Sequence, residues 1–173
     1  MKFKFLALAV AFIMLCGCST KQKVSPMLRG ISFEADISYY NEKYVCDSVV
    51  DSDGKLTMEF KYPEDISGLK IFFEYGKANV EYMGLTYTPK DKGMPTGSVA
   101  QALHNVLSSV EDEDSFAVKD GENCIIEGRY NETYFKLYLS PSGLPLSIFI
   151  PDDSYKIQFN NLAILEKDKT KNN

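Results

Sequence analysis

Few residues of this 173-residue chain have a type and spacing that could carry chemistry. His104 is the only histidine, so a Ser-His-Asp site has one possible base; no Gly-x-Ser-x-Gly turn accompanies it, and no serine has a local signature. On the polar margin of a helical pattern, His104 reads as a solvated helix histidine. Metal chemistry fares no better. The chain has no Cys-x-x-Cys, no His-Glu-x-x-His and no glycine-rich phosphate loop, and zinc needs more His or Cys than is present. The run Glu111-Asp112-Glu113-Asp114 could attract calcium, yet it lacks the Asp/Asn/Gly spacing of an EF-hand loop and reads as a solvated helix end. Carboxylates are numerous, but nothing singles out two of them as a glycosidase pair. Asn131-Glu132-Thr133 has the spacing of a glycosylation acceptor and reads as a hairpin turn. No catalytic residue, metal or cofactor is expected, and the chain reads as non-enzymatic.

Cysteine is the informative residue type. Lys2 and Lys4, an apolar run from Phe5 to Leu15 and small residues up to Cys18 have the layout of a secretory signal peptide over residues 1–17. The run is well short of the ~20 residues a helix needs to span a bilayer. Its ending, Leu15-Cys16-Gly17-Cys18, resembles the lipobox of bacterial lipoproteins, although Cys16 stands where Ala, Ser or Thr is usual. The resemblance implies cleavage before Cys18, a diacylglyceryl group on its sulfur and a further acyl chain, such as palmitate, on its amino group. Each buried CH₂ adds ~0.8 kcal/mol of membrane affinity, so several chains anchor stably where one is marginal. The expected location is the cell envelope, outside the cytoplasm. Loss of residues 1–17 removes two lysines and no acid, which takes the net charge from −5 to −7. Nucleic acid is therefore not an expected partner, because affinity for phosphate backbones comes from Lys and Arg. Cys46 and Cys124 would be the remaining thiols. They are either a disulfide, which would add ~2–5 kcal/mol, or two small buried hydrophobes.

The elements that must position anything here are mostly strands. Residues 18–29 carry the lipidated Cys and a polar tether containing Pro26, residues 30–165 form one domain, and residues 166–173 form a flexible charged tail. Ile31, Phe33, Ala35, Ile37 and Tyr39 alternate with polar residues, as do Leu56, Met58, Phe60 and Tyr62, which is the period of a half-buried strand. Tight turns at Asp53-Gly54, Gly76-Lys77, Asp120-Gly121, Asn131-Glu132 and Pro141-Ser142-Gly143 separate such segments, so the sheet is antiparallel. From Ser98 the period changes: Val99, Ala102, Leu103, Val106, Leu107 and Val110 share one helical face, and Ser98 with Gln101 forms a capping box. The fold class is α+β, a strongly curved antiparallel sheet of roughly nine to ten strands with one central amphipathic helix on its concave side.

The 11 Tyr and 11 Phe fall largely on the apolar sides of the strands. Phe33, Phe60, Tyr62, Phe73, Tyr82 and Phe159, with Leu103 and Leu107 of the helix, are the candidate contacts of an apolar ligand held between sheet and helix. The strand phrase from Leu56 to Pro63, the central helix and the late phrase Tyr138-Leu139-Ser140-Pro141-Ser142-Gly143-Leu144-Pro145-Leu146 resemble the LolA/LolB superfamily of lipoprotein-localisation factors. That resemblance implies an unclosed β-barrel, or half-barrel, lidded by helix, whose concave aromatic face binds lipid or the acyl chain of a lipoprotein. With its own lipid anchor, the chain is expected to be a membrane-held, monomeric receiver or holder rather than a long-range carrier. The alternative is an envelope protein-interaction or sensing module with a filled core.

The anchor is directly testable. Metabolic labelling with a clickable palmitate analogue is expected to tag the chain, and Cys18→Ser to abolish the tag; a tag that persists in the variant would place the acyl group elsewhere.

Overall fold

The computed structural model of the chain describes residues 24–74, 77–89, 98–112, 118–152 and 154–166. The segment read as a signal peptide, with its Cys16, and Cys18, the turn at Gly76, the residues Glu113 and Asp114, and the tail from 167 onward lie outside the described residues. Among the described residues, eleven strands form one antiparallel sheet: β1 (Ile31–Tyr39), β2 (Glu42–Val50), β3 (Leu56–Tyr62), β4 (Lys70–Glu74), β5 (Lys77–Tyr82), β6 (Leu85–Tyr87), β7 (Val118–Asp120), β8 (Asn123–Tyr130), β9 (Thr133–Leu139), β10 (Pro145–Ile150) and β11 (Tyr155–Ile164). Helix α1 (Val99–Asp112) lies between β6 and β7 in sequence.

The strand order is β6-β5-β4-β3-β2-β1-β11-β10-β9-β8-β7. Two meanders, one from each half of the chain, are therefore joined by their outermost strands in sequence, β1 and β11. The edges β6 and β7 flank the helix in sequence and do not pair, so the barrel is unclosed. The count exceeds nine to ten because the segment read as one strand from Ala78 to Pro89 folds back at Met83-Gly84. Both of these residues have positive φ (51° and 78°), the geometry of a two-residue hairpin turn, and that separates β5 from β6.

Curvature comes from bulges. Between Ser32 and Glu34 of β1, the partner β11 carries one extra residue, and Asn161 there has φ of 51°. A second extra residue, Lys61, lies in β3 where Val45 pairs with Tyr62 but Cys46 pairs with Phe60. Alternation turns the inward set of every strand toward one core: Ile31, Phe33, Ala35 and Ile37 of β1, Leu56, Met58 and Phe60 of β3, and Leu137, Ile148 and Ile157 of the second meander are all buried. Gly128 permits one close approach. A Cβ there would sit 2.5 Å from the Phe135 ring, which lies across β8 from the paired strand β9.

Helix α1 starts where its cap predicts, with the Gln101 N–H donating to Ser98 Oγ at 3.1 Å. Its apolar stripe, Val99, Ala100, Ala102, Leu103, Val106, Leu107 and Val110, is buried in the same core as the inner face of the sheet. The segment read as a tether is shorter than expected. Val24 and Leu28 are also buried in this core, and the Met27 N–H donates to the Gly143 carbonyl at 2.8 Å. Residues 24–29 are thus part of the domain, tied to the β9–β10 turn. Gly143 has φ of 86°, and a Cβ on it would meet the Ser25 carbonyl oxygen at 2.4 Å, so only glycine fits that turn.

Leu103 is fully buried at the centre of the helix stripe. Leu103→Ala is expected to lower unfolding free energy by ~2–5 kcal/mol in urea denaturation, as for other fully buried leucines. A loss under ~1 kcal/mol would mean that the helix does not complete the core.

Candidate functional site

One end of the sheet meets the first turn of α1 around an apolar cavity of about 220 Å³. Its wall is Tyr39 at the end of β1, Tyr44 near the start of β2, Phe60 on β3, Ile66 and Leu69 in the β3–β4 connection, Ile71 on β4, and Ser98, Val99 and Ala100 of the helix start. Aromatic contacts shape the wall. Tyr39 stacks on Tyr155 with ring centroids 4.3 Å apart, and Tyr44 meets Phe60 edge-on at 6.3 Å. The Tyr44 hydroxyl donates to Glu42 at 2.7 Å, and that hydrogen bond to a carboxylate raises its pKa above the ordinary tyrosine value. Tyr82 donates to the Asp65 carbonyl at 3.0 Å, which ties the single 3₁₀ turn at Glu64–Ile66 to β5.

The candidate ligand contacts read from the sequence separate into four groups. Phe60 lines this cavity. Phe33, Phe73, Leu103, Leu107 and Phe159 are buried as packing: Phe33 and Phe159 lie 4.6 Å apart across β1 and β11, and Phe73 stacks on a helix ring. Tyr62 is 54% exposed. The bulge at Lys61 shifts alternation by one residue and places Tyr62 opposite Val45, which moves it off the inner face. Tyr82 lies outside the wall, bonded to the Asp65 carbonyl next to Ile66. The residues that strand periodicity missed, Ile66, Leu69 and the helix-start Ala100, come from a loop and a helix end, where periodicity has no purchase.

Two further readings change. His104 is half-buried and stacks on Phe73 with centroids 4.3 Å apart and planes at 12°, so it extends the core and is not a solvated residue. Cys46 and Cys124 are both free and buried, so the possible disulfide is absent. They sit in β2 and β8, and β1, β11, β10 and β9 lie between those strands in the sheet. The Cys46 thiol contacts Ser48 Oγ at 3.6 Å, and burial pushes its pKa up to about 12.

The outer face carries charge without a chemical constellation. Lys61 bridges Asp47 at 2.7 Å and Glu34 at 3.2 Å, Lys70 pairs with Glu59 at 3.3 Å, and Lys136 pairs with Glu127 at 2.8 Å. These are cross-strand pairs in solvent, where salt screens them. Among the described residues, no group of three or more His, Cys, Asp or Glu side chains is placed to hold a metal ion. At the opposite end of the sheet, Met27, Arg29, Gly30, Asp51, Ser52, Ile164, Leu165 and Glu166 line an open depression of about 570 Å³.

A scan of family models and a search of curated proteins find no match to the chain. Solved structures share the fold. An uncharacterized conserved protein from Thermus thermophilus is similar at 10% identity and a TM-score of 0.50, with 92% of this chain and 90% of that chain covered. A LolA superfamily protein from Nitrosomonas europaea is similar at 5% identity and a TM-score of 0.38, covering 80% and 86%. A chain of the MucA/MucB complex of Pseudomonas aeruginosa is similar at 13% identity and a TM-score of 0.41, covering 77% of this chain and 50% of that one. A LolA superfamily protein is thus among the structures similar to the chain. At these identities the likeness extends to the fold alone.

The thiols give a test of the inner face. With Cys18 acylated, the mature native chain is expected to resist a thiol reagent near pH 8, because both remaining thiols are buried from the reagent and burial also raises the pKa of Cys46. In denaturant, without reductant, both Cys46 and Cys124 should react. Reaction only after reduction would restore the disulfide.

Proposed function

We propose that the chain is a non-catalytic extracytoplasmic lipoprotein, held to a membrane through Cys18, that takes an apolar or amphipathic ligand into the cavity between the curved sheet and the start of the helix. The observation that carries this reading is the apolar wall from Tyr39 to Ala100, which borders a solvent-open hollow of about 220 Å³ at the junction of sheet and helix. Apolar cavities with a few polar groups are the commonest ligand sites. This one is smaller than the ~300–1,000 Å³ typical of sites for drug-sized molecules. It therefore suits a short stretch of acyl chain, with Ser98, Tyr39 and Tyr44 as the wall residues that carry a polar group. Lipid or a lipoprotein acyl chain is the ligand class, and the domain acts as a holder or receiver. The second reading, a protein-interaction module with a filled core, draws on the burial of Phe33, Phe73 and Phe159, which fill much of the inner face themselves.

The test uses chain bearing Cys18→Ser, purified without its anchor. It is expected to release lipid on extraction and to bind a fluorescent fatty acid. Leu69→Trp, which projects a larger side chain from a half-buried wall position, is expected to weaken that binding about tenfold, or ~1.4 kcal/mol, with the thermal midpoint unchanged. No extracted lipid together with no fatty-acid binding would leave the interaction module as the better reading.

A further inference from the structure

We infer that the domain rests on the bilayer through the end of the sheet bearing Met27, Ile164 and Leu165, so that the Tyr39–Ala100 cavity lies at the far end, away from the membrane that holds the anchor. The inference depends on the acylation of Cys18 proposed above.

Strand direction separates the two ends. Ile31 at the start of β1 pairs with Val50 and with Ile164, and the Leu165 N–H donates to the Gly30 carbonyl at 2.7 Å. The start of the domain, the β2–β3 turn and the end of β11 therefore share one end. Tyr39, at the other end of β1, pairs with Glu42 and Tyr155. Of the sheet residues of the cavity wall, Tyr39 and Tyr44 lie toward that second end, while Phe60 is level with Ala35 at mid-strand and Ile71 with Phe33. The nine residues of β1 place the two ends about 26 Å apart along the strand.

The anchor joins at the first end. Residues 19–23 alone separate Cys18 from Val24, which is already buried, and those six steps span at most ~20 Å fully extended. From Val24 the chain is tied down by the Met27–Gly143 hydrogen bond and leads directly into β1. The first end is therefore confined to the neighbourhood of the lipid surface, and it presents apolar side chains to solvent, as the second end does with Tyr40 at 68%. Met27 is 39% exposed, Ile164 60% and Leu165 38%, all around the open depression. A chain of net charge −7 after cleavage gains nothing from anionic headgroups, so apolar insertion supplies the contact and the orientation. Ligand would then enter or leave on the side facing the envelope space.

The test uses the mature acylated full chain in vesicles of phosphatidylethanolamine and phosphatidylglycerol. Single fluorophores are attached through Ser52→Cys beside the depression or Lys43→Cys at the far end; the buried Cys46 and Cys124 leave these as the reactive thiols. Doxyl-labelled lipid is expected to quench emission at position 52 and not at position 43, with no change at raised salt. Met27→Asp combined with Ile164→Asp should remove the quenching at 52 while the chain still floats with the vesicles. Equal quenching at both positions, stronger quenching at 43, or quenching at 52 that survives the aspartates would overturn the docking and leave the anchor standing. A chain that carries no acyl group by mass and does not float would overturn both.

Discussion

The pairing of β1 with β11 is the constraint on which everything else rests. Each half of the chain is a meander of local hairpins, and neither half closes a core alone. Joining the first strand to the last turns two partial sheets into one surface deep enough to enclose a helix. The register runs from Ile31 opposite Ile164 to Tyr39 opposite Tyr155, and it brings Phe33 onto Phe159 at the middle of the concave face. This is the most non-local contact in the fold and the one that costs most chain entropy to form. Its hydrogen-bonded ladder is flanked on the β1 side by a second unbroken one, from Ile31–Val50 to Tyr39–Glu42.

Because the halves meet at their outer strands, the unpaired edges fall in the middle of the sequence, on either side of the helix. The helix occupies the space that barrel closure would otherwise have to fill, and its stripe of small and branched residues sets how closely the sheet can wrap it. Ala100 and Ala102 near its start bring backbone close to the sheet, and Leu103, Val106 and Leu107 fill the centre. The cavity lies at the first turn, where the helix begins with Ser98, Val99 and Ala100 facing the β3–β4 connection. The mid-helix side chains are buried, and a hollow remains at the helix start. The ligand reading lives on that difference.

Most of this was legible in the sequence, for reasons that can be traced to single residues. Period-two alternation located nearly every strand, and the Ser98–Gln101 cap located the helix start, because both signals are local. What alternation could not show was where it breaks. Lys61 as an extra residue in β3 moved Tyr62 to the outer face, and the Met83-Gly84 turn split one apparent strand into two. The burial of Val24 and Leu28 was hidden because a polar, Pro-containing segment has no period, and its docking depends on a glycine far away in sequence, Gly143. The packing role of His104 depends on Phe73, a residue in the other half of the core. Compositional richness in aromatics pointed to the right face but could not separate side chains that fill space from those that border it.

The way the N-terminal segment joins the sheet also has a mechanical side. Force passing between an anchored residue 18 and a load at the far end of the barrel would enter through residues 24–30 and run along the axis of β1. That strand is bonded on both flanks, to β2 and to β11, so the pull would strain two ladders in shear, many hydrogen bonds at once, instead of peeling them apart in turn. An edge strand carrying the same attachment would unzip. Attachment at the central strand would spread such a load over both ladders.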